Sequence, residues 1–263
     1  MRSGEDFLAG MSRASQIRAA HAGTQPALRL SPEGFDLIAE IKLSSPSAGT
    51  LSRDTSGIER RATTYAQAGA CAVSVLTEPD RFGGSMDHLQ RAAWALEPMG
   101  VPAMAKDFLV APEQVWAARV AGAGGILLII RMLDQTRLSE LLDLALELEM
   151  FVLLEAFDRE DLDRAAALRG AADDNPGPVL LGLNCRNLRT LQVDPRRFNE
   201  LAEHFPGSYP RVAESGIEGA EDVTAVASRG YSVALVGSAL MKTPDPGILV
   251  QDMIRAGRSA SVG

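Results

Sequence analysis

The chain has 263 residues, of which 46% are hydrophobic and 23% charged, and its net charge is −8. That size and apolar share suit one large core, and α/β barrels reach this length as a single domain. The acidic balance, with no Lys/Arg-rich run, speaks against nucleic acid as a partner, and the longest apolar runs, such as GGILLII, are too short to span a membrane. Cys71 and Cys185 show no C-x-x-C spacing, so neither a disulfide framework nor a zinc site is expected. Free thiols suit the cytoplasm, and MRSGEDFLAG lacks the apolar stretch of a signal peptide.

In chain order, residues 5–20 read as a helix, followed by the loop GTQPALRLSPEG. Eight short apolar runs then recur: 35–42, 71–77, 101–106, 124–130, 151–157, 179–184, 211–215 and 233–238. Most are nearly continuous rather than alternating, which marks parallel strands covered on both faces. Helical patterns lie between them, among them GIERRATTYAQAGA, PEQVWAARVAGA, RLSELLDLALELEM and AEDVTAVASRG. Strand plus helix repeated in this way predicts an α/β fold, a single-domain (β/α)8 TIM barrel over 35–263 with an N-terminal helical extension over 1–34. A doubly wound open sheet is the competitor. The first turn, SSPSAG, is not the G-x-G-x-x-G of a dinucleotide fold.

Barrels of this kind carry their chemistry at the C-terminal ends of the strands. There the first run ends in Glu40 and Lys42, the third in Lys106, the fifth near Glu155, the sixth in Asn184 with Arg186 beyond, and the seventh in Glu214 and Ser215. Any one of these could be a structural ion pair. So many ionisable ends on one face point instead to a functional site, because burying charge is costly. Ser215 and Gly216 after the seventh run, and Gly237 and Ser238 after the eighth, stand where such barrels often bind phosphate.

These motifs resemble those of the indole-3-glycerol phosphate synthase family. IAEIKLSSPSAG is similar to the family's first-strand signature, KDF at 106–108 to its third, and GLNCRNL, AESGI and LVGSALM to its sixth, seventh and eighth. The resemblance implies ring closure of 1-(o-carboxyphenylamino)-1-deoxyribulose 5-phosphate, with loss of carbon dioxide and water. It implies Lys106 as general acid, Glu155 as acid or base in the dehydration, Lys42 as a group that binds the anionic substrate and assists in the acid steps, and Glu40 as the group holding the lysines. Asn184 would hold substrate hydroxyls and Arg186 the carboxylate end or neighbouring acids, while Glu214 and Ser215 would complete the polar wall. Ser45, Gly216, Gly237 and Ser238 would cradle the phosphate. Phe82, Phe108, Leu127, Leu188 and Val236 are candidates to sandwich the aromatic ring, with ordinary packing at the mouth as the other reading. Proton transfer of this kind suits lysines whose pKa is lowered by burial and by neighbouring cations. No metal or organic cofactor is implied. The expected partner is a small phosphorylated substrate, and the expected state a monomer or loose homo-oligomer.

The chain departs from the family pattern at Leu43 and Ala48, where many members carry basic residues, and at Asn187, where an aspartate is common. AGAGG at 121–125 lacks the acidic residue often found before the fourth strand. Rival readings are a paralogous phosphate-binding barrel with an altered substrate and a non-catalytic scaffold. Phosphoribosylanthranilate isomerase is a third, but it is expected to use a cysteine–aspartate pair, and no Cys ends strand one.

Overall fold

The computed structural model describes residues 25–32, 34–45, 49–50, 55–168, 179–187, 189–207 and 209–261. The helix expected over 5–20 lies outside them. Eight parallel strands close into a barrel: β1 (Asp36–Ile41), β2 (Ala72–Leu76), β3 (Ala103–Lys106), β4 (Gly125–Ile129), β5 (Phe151–Ala156), β6 (Val179–Asn184), β7 (Arg211–Glu214) and β8 (Val233–Val236). Each pairs with its neighbour in sequence, and β8 returns to β1 through Asp36–Val233 to Ala39–Val236. All eight coincide with the apolar runs, trimmed by a residue or two at several ends. Lys42 therefore stands just past β1 rather than in it.

Helices fill the connections: α1 (Ile58–Gln67), α2 (Pro79–Phe82), α3 (Met86–Leu96), α4 (Pro112–Val120), α5 (Gln135–Glu147), α6 (Arg159–Ala166), α7 (Arg197–Glu200), α8 (Ala220–Ala227), α9 (Ser238–Lys242) and α10 (Pro246–Ser261). No helix among the described residues is long and apolar enough to cross a membrane. In α5, Leu138, Leu141, Leu142, Ala145 and Leu146 are buried at helical spacing, and the Asp134 side chain caps the first turn through the Arg137 N–H.

Side chains alternate across each strand and build two cores. Ala39, Val75, Leu128, Leu154, Leu183 and Val236 face the helices. Ile38, Met104, Leu127, Leu153, Leu180 and Val212 fill the barrel interior. Each fully buried large side chain stabilises by roughly 1.5–3 kcal/mol. Gly125 leaves room for the Phe151 ring, since a Cβ there would lie 2.3 Å from Cε1. The segment before β1 also belongs to the barrel, because Leu28 joins the interior cluster and the Ser31 N–H donates to Asp36. The interior is thus packed up to its last layer at the mouth, and there polar groups replace apolar ones.

Candidate active site

That top layer is one connected charge system. Lys42 Nζ lies 2.8 Å from Glu40 Oε1, and Lys106 Nζ lies 3.3 Å from Glu40 Oε2 and 3.2 Å from Glu214 Oε2. Asn184 Nδ2 donates to Glu155 Oε1 at 2.7 Å, and Asn184 Oδ1 accepts from the Arg186 N–H. The ends of β1, β3, β5, β6 and β7 supply these groups. Glu40, Glu155, Asn184 and Glu214 are all buried. The alternation explains why strands so apolar end this way. Position 40 is two residues beyond Ile38, position 155 two beyond Leu153, and position 106 two beyond Met104, so each points inward above an apolar layer.

The electrostatics follow from burial and neighbours. Burial pushes the Glu40 carboxyl up, but the Lys42 and Lys106 ammoniums outweigh it and hold the group at about 2. Lys106 corrects an expectation. Burial does lower its pKa, but Glu40, Glu214 and Glu155 more than reverse this, and the ammonium is held well above the ordinary lysine range. A lowered value would need cations around it, and its neighbours are carboxylates. Glu214 moves the other way. Burial and then the Glu155 carboxylate raise it to about 8, against the pull of Lys106.

Around this centre stand the other candidates. Phe82 and Phe108 face each other at the mouth with ring centroids 6.3 Å apart and planes tilted by 41°. Leu127 is buried in the interior, two register positions below Ile129 and Glu155. Val236 packs into the cluster between sheet and helices, on the opposite face from its neighbour Leu235, so the structure does not bring it to the mouth. Leu188 lies outside the described residues. Arg186 donates through Nη1 to the Leu191 carbonyl of its own loop. Ser45 pairs with Gly49 in a two-residue-stranded hairpin after β1. Ser215 and Gly216 both adopt positive φ, 67° and 75°. For serine that conformation costs on the order of 1–3 kcal/mol, and it turns the chain sharply at the mouth. A Cβ on Gly237 would lie 2.2 Å from Glu40 Oε1.

Several supporting residues escape a motif reading. Thr77 Oγ1 donates to Asp107 Oδ2 at 2.6 Å, and Asp107 Oδ1 accepts the Phe108 N–H, which fixes the chain beside Lys106. Glu78 accepts from the N–H groups of Asp80, Arg81 and Phe82 and so anchors α2. Arg131 lies over the Phe157 ring at 4.5 Å and pairs with Asp158 and Asp161. Gly182 leaves space for Glu214, because a Cβ there would lie 2.1 Å from Glu214 Oε1. The one sequence signal for it is a glycine inside VLLGLN.

The family model for indole-3-glycerol phosphate synthase matches residues 4–253. A protein of that name from Mycobacterium ulcerans (strain Agy99) is 38% identical over 260 residues, 97% of this chain and 90% of the relative. Another from Mycobacterium avium (strain 104) is 39% identical over 251 residues, 94% of this chain and 88% of the relative. Among solved structures, 3-hexulose-6-phosphate synthase from Salmonella typhimurium superposes with a TM-score of 0.64 at 12% identity, covering 86% of this chain and all of its own, a likeness of fold alone. With the eight-stranded barrel, the charged mouth and these relatives in agreement, the chain belongs to the indole-3-glycerol phosphate synthase family.

Proposed function

We propose that the charge system at this mouth carries the family's ring closure and that its members divide the proton transfers. The activity is that of a carboxy-lyase in tryptophan biosynthesis, converting 1-(o-carboxyphenylamino)-1-deoxyribulose 5-phosphate to indole-3-glycerol phosphate. One observation supports the assignment above others: Lys106, held between Glu40 and Glu214, is the ammonium that joins two carboxylates at the centre of the mouth.

Attack of the aromatic carbon on the substrate carbonyl puts negative charge on the carbonyl oxygen. An alkoxide is a far stronger base than a carboxylate, so it can take a proton from an ammonium that its neighbours keep loaded. Lys106 is that donor. Loss of carbon dioxide restores the aromatic ring. Glu155, oriented by Asn184, then serves the loss of the hydroxyl and of the proton that completes the indole. Lys42 adds positive charge for the anionic substrate, and Glu40 spaces the two ammoniums. Arg186 faces the carboxylate end, with Ser215 beside Glu214 in the polar wall. Ser45, Gly216, Gly237 and Ser238 cradle the phosphate with backbone N–H groups and hydroxyls. Phe82, Phe108 and Leu127 flank the ring. The protein works in the cytoplasm as a monomer or loose homo-oligomer, on a phosphorylated small molecule and not on nucleic acid, in keeping with its net charge of −8.

The test is the growth of indole fluorescence when purified protein meets that substrate. Lys106→Ala is expected to lose roughly 10²–10⁴-fold in kcat, as removal of a general acid does, while circular dichroism stays native. A folded Lys106→Ala protein with undiminished turnover would remove Lys106 from the mechanism.

A further inference from the structure

Three carboxyl groups, Glu40, Glu155 and Glu214, meet two ammoniums, Lys42 and Lys106, in one buried layer. Fully ionised, that layer holds one negative charge in excess, which burial makes costly. Both Glu40 oxygens face ammoniums, and Glu155 Oε1 faces the Asn184 amide. Glu214 Oε2 faces Lys106. Glu214 Oε1 is different, being fully buried with no hydrogen-bond partner among the described residues. It lies over Gly182, where a Cβ would come within 2.1 Å of it. Gly182 in turn is the register partner of Glu155. The glycine therefore opens a gap on β6 through which the carboxyl of β7 reaches toward that of β5. Two carboxylates in this position repel, and a single proton between them turns the repulsion into a hydrogen bond.

We propose that Glu155 and Glu214 share one proton across Gly182, and that Glu214 acts through Glu155 as the partner that keeps this proton available for the dehydration step. This rests on the role of Glu155 set out above. The proton balance is closed. The shared proton goes to the leaving hydroxyl as its C–O bond breaks, and water departs. The proton released from the five-membered ring as the indole double bond forms returns to the carboxyl pair. The other groups facing Glu214 are Lys106 of β3, Asn184 of β6 and, more distantly, Glu40 of β1, while Cys185 follows β6. The neighbouring β8, VALV, brings no charge.

Infrared spectra of the intact protein test the idea without substrate. The wild type is expected to show the stretch of a protonated, buried carboxyl at neutral pH, fading as pH rises through about 8. Glu214→Gln removes the band. Glu155→Gln makes it fade at a lower pH, because the Glu155 carboxylate adds to burial in raising Glu214 against Lys106. No band in the wild type, or a band in Glu155→Gln that fades at the same pH as in the wild type, overturns the sharing. In turnover, Glu214→Gln is expected to lower kcat roughly tenfold or more and to abolish the alkaline fall near pH 8. A raised KM with kcat and the alkaline limb intact would make Glu214 a binding residue only. If Glu155→Gln and Lys106→Ala lose turnover while the wild type lacks the band, the shared proton fails and the site assignment stands. If those two variants turn over normally, the site assignment itself fails.

Discussion

Gly237 has no side chain, and Glu40 occupies the place where one would be. A Cβ at 237 would lie 2.2 Å from Glu40 Oε1 and 3.0 Å from Cδ. Glu40 cannot swing aside cheaply, since Lys42 and Lys106 pin both its oxygens. Gly237→Ala is therefore expected to displace the ammoniums and cut kcat by roughly 10²-fold, the order that a displacement of about 1 Å at a reacting centre costs. Its melting temperature should fall only slightly, and steady-state kinetics beside calorimetry would show the split. A Gly–Ser pair after an apolar run reads in sequence as a phosphate turn. That the same glycine also makes room for a carboxylate from the first strand is not legible, because the two positions meet only when β8 closes against β1.

At the scale of elements, the short helix α2 shows how a site can depend on a segment with no periodicity. It has four residues, and its start is held by Glu78, which accepts three backbone N–H groups. Its last residue is Phe82, facing Phe108. Glu78→Ala should remove about 1 kcal/mol of capping, loosen the Phe82 ring, and raise KM roughly fivefold. With kcat unchanged, that outcome places Glu78 in substrate positioning, whereas an unchanged KM denies it. The longer helices are readable from leucine and alanine spacing, as in RLSELLDLALELEM and α5. Elements of four or five residues, such as α2 and α9, complete about one turn and present no period to read.

For the whole molecule, the buried charges tie stability to pH in opposite directions. Glu40 is held at about 2, below its ordinary 4.5, so the unfolded chain binds more protons between those values. Its contribution is present above pH 4.5 and is lost as pH falls toward 2. Glu214 is raised from 4.5 to about 8, so its contribution is fully present below pH 4.5 and is lost as pH rises through 8. Glu40→Gln leaves two ammoniums without their shared carboxylate and should cost about 3 kcal/mol near neutrality. That deficit should shrink below pH 4.5, where wild-type Glu40 loses its advantage. Melting temperatures of both proteins across this range check it, and parallel curves would show that the pair of lysines does not control Glu40.

Eight nearly continuous apolar runs with helical spacers were enough to specify a closed parallel barrel, because strands covered on both faces have few other ways to bury themselves. The polar residues at the run ends also marked the mouth, since the end of a strand is visible in one dimension. The sequence by itself thus determined the barrel and the end of it at which the charged groups gather. Tertiary structure alone decided which charges touch. It set Lys106 between Glu40 and Glu214, raising the ammonium where burial alone would lower it. It also turned Val236 outward and left Glu214 Oε1 opposite Glu155 over a glycine. Those outcomes depend on the stagger of strands distant in sequence, and Coulomb interactions depend on distances in space that residue order does not carry.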